Sequence, residues 1–231
     1  SLALVLLSGL AHASWNLLLK HSHNQEVFAW WLQVVIATLL APAAVVFIWN
    51  GGIEGQGWWF IAGTSLIHVL YTLFLSRSYM HADLSLVYPI ARGTGPALTP
   101  LLGIILLDEN ISVLAVVGII AIVGGIFTVY WWGYIGQVLT DPLKFLRNPG
   151  VRYALLTGLT IAGYSVWDKV GVTYVNPLLY MYLLSLGTAV GLMPYILWRH
   201  GITTMKQELR LNMLSIVAAG MLAFTAYAIV L

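Results

Sequence analysis

The sequence predicts an all-α membrane protein, and three observations lead to this fold class. Apolar residues make up 60% of the 231 residues, only 8% are charged, and the mean hydropathy is +0.90, whereas a soluble domain carries about a quarter charged residues. Continuous apolar runs long enough for a membrane helix of roughly 20 residues recur along the chain. The runs do not alternate apolar and polar residues, which disfavours transmembrane strands.

Eight helices are predicted, each from one continuous apolar run that ends at loop residues. Their approximate ranges are 2–19, 27–49, 58–76, 84–107, 111–132, 151–168, 177–198 and 211–231. Tryptophan rings favour the headgroup region of a bilayer, so tryptophans near helix ends support this placement. Those near predicted ends are Trp30, Trp31, Trp49, Trp58, Trp59, Trp131, Trp132 and Trp198.

An internal repeat predicts how these helices are organised. Residues 6–20, LLSGLAHASWNLLLK, align without gaps with residues 155–169, LLTGLTIAGYSVWDK, and the shared positions include Gly9 with Gly158 and Lys20 with Lys169. Because the first unit contains five helices, an odd number, the second copy, which starts at the sixth helix, enters the membrane from the opposite side. We therefore expect two five-helix inverted-topology repeats, a ground plan of secondary transporters.

The repeat also predicts the domain boundaries. The first five-helix repeat covers residues 1–132, an interfacial linker covers 133–150, and the second repeat covers 151–231. The second copy is expected to be incomplete, with eight transmembrane helices present where ten are expected.

The stretch YPIARGTGPALTP, residues 88–100, interrupts the fourth apolar run with three prolines, Pro89, Pro96 and Pro100. Each proline removes a backbone donor and frees a carbonyl one turn earlier. Non-helical backbone at membrane depth is tolerated only where it lines a cavity or is buried in protein. We therefore expect a broken helix and a wet, polar pocket around residues 88–96.

Arg92 is the charged residue of this stretch, about 12 Å into its helix at 1.5 Å per residue. Arginine near a helix centre costs ~2.5–3.5 kcal/mol on insertion scales, so it is expected to face the protein interior or water. Its planar fork of donors suits a carboxylate or phosphate on a cargo molecule, and Tyr88, one turn earlier, shares its face. The alternative is that Arg92 pairs with an internal carboxylate, for which Asp168 is the candidate, and that the prolines merely kink the helix.

Polar residues on three other helices are candidates for the same pocket. They are His12, Trp15 and Asn16 on the first helix, His68 and Tyr71 on the third, and Tyr164, Ser165, Trp167 and Asp168 on the sixth. A membrane histidine could carry a proton, because its ordinary titration lies near neutral pH. The alternative is that each side chain makes an interhelical hydrogen bond, which contributes ~0.6 kcal/mol on average in membranes.

Two stretches carry a resemblance to a known family. Residues 83–110, DLSLVYPIARGTGPALTPLLGIILLDEN, resemble the fourth helix and following turn of EamA-type transporters of the drug/metabolite transporter superfamily, and residues 11–20, AHASWNLLLK, resemble the first helix of one branch. The resemblance implies ten helices in two inverted repeats. The chain departs from the family at Asp108-Glu109, where the family usually shows Gly-Glu.

Several classes of site are not expected. The chain has no cysteine and no nucleotide-binding or hydrolase motif, so no cofactor is expected. His21 and His23 lack nearby carboxylates beyond Glu26, so no metal site is expected. Small-residue pairs, Gly9 with Ala13, Ala121 with Gly125 and Gly187 with Gly191, are expected to let helices approach closely.

The leading hypothesis is a secondary transporter in a bacterial inner membrane that moves a small carboxylate- or phosphate-bearing metabolite, such as an amino acid, by alternating access, with proton coupling as an open option. The alternatives are an intramembrane enzyme that uses His12, His68 and Arg92 on a lipid-borne substrate, and a scaffold without flux. The expected partners are the cargo, the lipid bilayer and, as an option, a second copy of the chain, but not nucleic acid. Loop Lys and Arg residues place the N-terminus outside, whereas the resembled family has both ends inside, so the orientation stays open.

Overall fold

The computed structural model describes residues 2–53, 55–110, 112–131, 136 and 146–228, and this part of the chain is helical without strands. Its helices are α1 (Leu2–Lys20), α2 (Gln25–Asn50), α3 (Gly55–His81), α4 (Leu84–Leu107), α5 (Val113–Trp131), α6 (Pro149–Gly171) and α7 (Pro177–Ala228). The all-α class is confirmed for these residues. Most of the predicted linker 133–150 and the predicted last residues 229–231 lie outside them.

The two predicted last helices both lie within α7, where the helical path is interrupted between them. The backbone of α7 is non-helical only at Gly201, with φ 72° and ψ 164°, and at Asn212, with φ −120° and ψ 17°. Glycine adopts a positive φ without steric cost, so Gly201 can bend the chain there. The polar segment between the two bends was predicted as a loop and is instead helical.

The predicted break in α4 is wrong. The helix continues from Leu84 to Leu107 through Pro89, Pro96 and Pro100. Each proline removes one backbone hydrogen bond, but an open break would expose several unpaired backbone groups. Each of these costs several kcal/mol in lipid. The unbroken helix therefore has the lower free energy in lipid. A wet pocket around residues 88–96 can no longer be inferred from a break in the helix.

Helix α3 extends to His81, five residues beyond the predicted end at 76. The sequence there is polar, and this polarity suggested a loop. The serine hydroxyls are satisfied within the helix, however, because Ser76 donates to Thr72 O and Ser78 donates to Leu75 O, each at 2.7 Å. Polar residues that bond to their own helix do not end it.

The chain divides into two compact units. The first unit comprises Ser1–Val69 and Val170–Leu231, and the second comprises Leu70–Lys169, so one boundary falls inside α3 and the other near the end of α6. In the first unit, α7 packs against both α1 and α2. In the second unit, α4 packs against α5 and lies close to α6.

Glycines and tryptophans hold the helices of the first unit together. A Cβ at Gly187 would overlap the Ser65 side chain, and one at Gly191 would lie 2.9 Å from Val69 Cγ2, so the predicted close approach through this pair is confirmed. Trp30 donates to Ala189 O at 2.8 Å and is buried. Trp30 therefore packs against α7 inside the protein, and the headgroup placement expected from its position near a helix end stays a prediction.

The other tryptophans near helix ends differ in how much of each side chain is exposed. Trp49, Trp59 and Trp198 are more than three-quarters exposed, which fits helix ends in the headgroup region.

For the remaining small-residue pairs, an added Cβ at Gly9 or Gly125 would have no described atom within 4 Å, so their predicted close packing is not observed in this part of the chain.

Four helices of the described part are long and apolar enough to cross a membrane. They are α3 and α4 over their whole lengths, Gln25–Trp49 of α2 and Pro177–Ala226 of α7, and α5 contributes a shorter apolar segment, Val113–Gly125. The chain is thus an integral membrane protein with several membrane-spanning helices. Eight crossings and an inverted repeat are not confirmed.

Candidate functional site

Arg92 lies among tyrosine side chains in the second unit. Its guanidinium carbon is 5.6 Å from the centroid of the Tyr88 ring, and its Nη2 donates a long hydrogen bond of 3.5 Å to the Tyr71 hydroxyl. Tyr71 in turn meets Tyr164 edge to face, with 5.7 Å between ring centroids. Tyr79 is fully buried and within electrostatic range of Arg92, Tyr71 and Tyr88. We call these five residues the tyrosine–arginine cluster.

Helix α3 contributes to the cluster because its buried face is polar. The buried polar residues of α3 are Thr64, His68, Tyr71, Thr72, Ser76, Ser78 and Tyr79. At about 100° per residue they fall on one side of the helix, while exposed α3 residues such as Leu66 and Leu70 are apolar. In a bilayer, polar side chains turn towards the protein interior or a water-filled cavity. The sequence reasoning identified only His68 and Tyr71 of this face.

Small residues bring α4 and α6 together next to Arg92. A Cβ at Gly158 of α6 would overlap Thr94, lying 2.8 Å from its Cγ2, and would be 3.1 Å from Ala91 O. A Cβ at Gly95 of α4 would lie 2.5 Å from Ile161 Cγ2. Gly95 of the YPIARGTGP stretch, where a break was predicted, is instead a packing residue of a continuous helix.

The first helix contributes its own polar group, within the first unit. Trp15 Nε1 donates to His12 Nδ1 at 2.5 Å, and Asn16 Nδ2 donates to His12 O at 2.7 Å. Trp15 and Asn16 are buried, and His12 is half-buried. The predicted stacking of His12 and Asn16 on one helix face with Trp15 alongside is therefore observed, and their role as cargo ligands stays a prediction.

Two groups of contacts are observed among the nine predicted site residues. The structure brings Arg92, Tyr88, Tyr71 and Tyr164 together in the second unit, and His12, Trp15 and Asn16 in the first. His68 is buried, with Nδ1 at 3.1 Å from Thr64 Oγ1 and 3.0 Å from Thr64 O. Trp167 is 38% exposed.

The turn after α4 contains Asp108, the residue at which the chain departs from the Gly-Glu of the resembled family. Asp108 has φ 52° and ψ 37°, the left-handed region in which glycine is free of strain and aspartate is tolerated. The N–H of Glu109 donates to Gly103 O at 3.3 Å, and Lys169 of α6 donates to Glu109 Oε1. The Glu109 carboxylate thus joins this turn to the end of α6 in the second unit.

Sequence reasoning missed a buried carboxylate in the first unit. Glu26 near the start of α2 is 2% exposed. Both of its oxygens lie 3.0 Å from the Tyr195 hydroxyl, His200 Nε2 is 2.7 Å from Oε2, and Arg199 Nε is 3.7 Å from Oε2. The partners are more than 160 residues away in the chain, and an acidic residue in the first turn of a helix is ordinary, so the sequence carried no signal for this group.

The N-terminal cap of α2 fixes the hydrogen bonding of that group. Asn24 Oδ1 accepts from Val27 N at 3.0 Å, which turns Nδ2 towards His200 Nδ1, also at 3.0 Å. Because an amide nitrogen donates, Nδ1 of His200 accepts and Nε2–H donates to Glu26. Glu26 is therefore a structural link between α2 and α7. Within the described residues, no group of three or more His, Cys, Asp or Glu side chains is placed to hold a metal ion.

Residues 29–122 match the family model of the Small Multidrug Resistance protein. No curated protein and no solved structure matches the chain. The matched segment holds most of α2, all of α3 and α4 and half of α5, so it includes every member of the tyrosine–arginine cluster except Tyr164. It is a family of small-molecule transporters in the drug/metabolite transporter superfamily. The match agrees with the resemblance found in the sequence at the level of that superfamily. It does not show that the chain is of the EamA type. It supports a transporter and gives no support to an enzyme.

Proposed function

We propose that this protein is an EamA-type secondary transporter that moves a small carboxylate- or phosphate-bearing metabolite, such as an amino acid, and that Arg92 binds the anionic group. The observation that carries the proposal is the position of Arg92 in a membrane helix, half-buried, against the Tyr88 ring and the Tyr71 hydroxyl. The ring and the hydroxyl hold the guanidinium among the tyrosines of α3 and α4.

The neighbouring groups suit an anionic cargo in chemical terms. Arginine offers a rigid fork of donors that matches a carboxylate or phosphate in bidentate geometry, and tyrosine hydroxyls can donate to further anion oxygens. Low-polarity surroundings strengthen such a charge-assisted pair relative to water. The tyrosine–arginine cluster thus contains both the charge and the additional donors that recognition of a small acid needs.

The remaining elements of the proposal come from the sequence. Two inverted repeats would supply alternating access. The His12, Trp15 and Asn16 group, His68 and Trp167 are proposed as further pathway or cargo residues, with His12 and His68 as candidate proton carriers. A bacterial inner membrane is the proposed location, and a homodimer is an option. No cofactor is proposed.

A thermal-stability screen of the purified protein in detergent tests the cargo site. The panel contains small carboxylates, phosphates, amino acids and one quaternary ammonium compound. A ligand at 100 times its dissociation constant stabilises the folded protein by ~2.7 kcal/mol. We expect an acid to stabilise the wild type and to lose this effect in Arg92→Ala, while the exposed Arg152→Ala of α6 behaves like the wild type.

Two outcomes would contradict the proposal. If no acid binds and Arg92→Ala only lowers the melting temperature, the arginine has a structural role. If the quaternary ammonium compound binds equally well to the wild type and to Arg92→Ala, the tyrosines serve a cationic cargo through their ring faces. Uptake of the stabilising acid into proteoliposomes then tests transport itself.

A further inference from the structure

Thr72 of α3 carries a buried hydroxyl group without a hydrogen-bond partner. The residue is 4% exposed, and its Oγ1 is one of two such orphaned side-chain atoms among the described residues, the other being Gln33 Oε1. Buried polar groups in proteins are almost always hydrogen-bonded, because leaving one unpaired costs free energy. The orphaned oxygen of Thr72 therefore needs an explanation.

Other hydroxyl groups in this chain are satisfied by the simplest available acceptor, a carbonyl one turn earlier on the same helix. Ser76 Oγ donates to Thr72 O at 2.7 Å, Thr157 Oγ1 donates to Tyr153 O at 2.7 Å, and Thr188 Oγ1 donates to Leu184 O at 2.7 Å. Thr72 is on a regular helix and has the same option. Its hydroxyl does not use that option.

The position of Thr72 relates it to the tyrosine–arginine cluster. Its neighbour Tyr71 accepts the hydrogen bond from Arg92. Tyr79 follows Thr72 by seven residues, which places both on the same face of α3, and Tyr79 is within electrostatic range of Arg92. Thr72 thus belongs to the buried polar face of α3 that carries two members of the cluster.

We propose that the Thr72 hydroxyl binds a second polar group of the cargo, a hydroxyl or amino group of a small acid whose carboxylate binds Arg92. This inference rests on the proposed transport function and narrows its substrate class to hydroxy acids and amino acids. A threonine hydroxyl can both donate and accept, so it pairs with either group. A site built to bond a polar group rejects the analogue that lacks it, because its own buried group then stays unpaired.

The test uses the full-length protein and three probes, propionate, L-lactate and L-alanine. Lactate carries a hydroxyl and alanine an amino group where propionate carries hydrogen. Thr72→Val removes the hydroxyl at nearly constant volume, and Thr72→Ser keeps it. Thr157→Val is the matched control, because it removes a buried threonine hydroxyl that already has an acceptor.

The first readout is the melting temperature without any probe, which is independent of transport. Thr72→Val is expected to melt several degrees higher than the wild type, since an unpaired buried hydroxyl disappears, whereas Thr157→Val gains nothing. A lower melting temperature for Thr72→Val would show that the hydroxyl is already bonded, by the protein or by a buried water, and would overturn the inference even if the protein transports acids.

The second readout is the thermal shift produced by each probe. We expect lactate or alanine to stabilise the wild type and Thr72→Ser more than propionate does, and we expect Thr72→Val to lose this difference. If Thr72→Val keeps it, Thr72 does not contact the cargo, while the Arg92 site stands. If no small acid stabilises the wild type, the anionic cargo site is itself refuted, and this inference fails with it.

Discussion

Replacing Gly158 by alanine tests whether the contact between α4 and α6 positions Arg92. The added Cβ would overlap Thr94, lying 2.8 Å from its Cγ2, and would lie 3.1 Å from Ala91 O. Favourable contacts between carbon atoms lie near 3.5–4.0 Å. The Ala91 oxygen is a backbone atom, so a side-chain rotation cannot relieve the whole overlap. Helix α4 has to move away from α6 by roughly half an ångström or more.

The size of the effect follows from these overlaps. Forcing extra methyl groups into packed positions costs ~1–3 kcal/mol, and each kcal/mol shifts the melting temperature of a chain of this length by ~2–4 °C. We therefore expect Gly158→Ala to lower the melting temperature by ~2–12 °C. Arg92 lies between Ala91 and Thr94 in the sequence, so the same displacement is expected to weaken stabilisation by an acidic ligand.

Thermal unfolding in detergent, followed with and without the stabilising acid, measures both effects. Gly163→Ala on the same helix is the matched control, because an added Cβ there has no described atom within 4 Å. Alanine is a better helix former than glycine, so this control should keep or raise the melting temperature. If Gly158→Ala and Gly163→Ala melt at the same temperature and bind the acid equally, the close contact does not exist or does not position Arg92.

Four further predictions concern residues outside the contact between α4 and α6. Tyr195→Phe removes the hydroxyl 3.0 Å from both oxygens of Glu26, so thermal unfolding should show a loss of ~1.5–3 kcal/mol; an unchanged melting temperature would contradict the buried link between α2 and α7. Asp108→Gly should not destabilise the protein, whereas Asp108→Val should cost ~1–2 kcal/mol in the same assay because of the left-handed backbone. Gly201→Ala should cost about 1 kcal/mol for the same reason at φ 72°, and equal stability would mean that the bend relaxes. Lys169→Ala should change stability by less than ~1 kcal/mol, because the Lys169 side chain is 62% exposed in its ion pair.

The positions of most helices could be predicted from the sequence, because each apolar run in this chain has its own polar ends. The bounds of α4 were predicted without error, and those of α1 and α2 within two residues. The errors arose where polar residues stay helical. In α3 the serines bond to their own carbonyls, and in α7 the polar segment between Gly201 and Asn212 keeps its helical hydrogen bonds. Hydropathy reports which segments avoid water, and it does not report where backbone hydrogen bonds end.

The candidate site could be predicted only in part. Arg92 and Tyr88 share a helix face by their spacing, so their proximity follows from sequence alone, and the ring contact is observed. The spacing of His68 and Tyr71 predicts part of a polar face on α3. Thr72, Ser76 and Tyr79 belong to the same face, but only the packing of the helix shows that they are buried. The link through Glu26 joins residues far apart in the chain, and no local pattern encodes such a pair.

For the stretch from Tyr88 to Pro100, the sequence pointed to the right segment, but the structural reason inferred for it was wrong. Its prolines and glycines suggested a broken helix, and the break was the reason to expect a site. In the structure the helix is intact, and the small residues Ala91 and Gly95 instead allow α6 to approach on one side, while Arg92 meets the tyrosines of α3 and α4. An unbroken helix held on both sides gives the guanidinium a fixed position, and a fixed position favours selective binding because less freedom is lost when the ligand arrives. A broken helix would predict that alanine at Gly95 restores order and stability, whereas the packed helix predicts the opposite, because the added Cβ would lie 2.5 Å from Ile161 Cγ2 of α6. The sign of that single change separates the two accounts of why this segment carries an arginine.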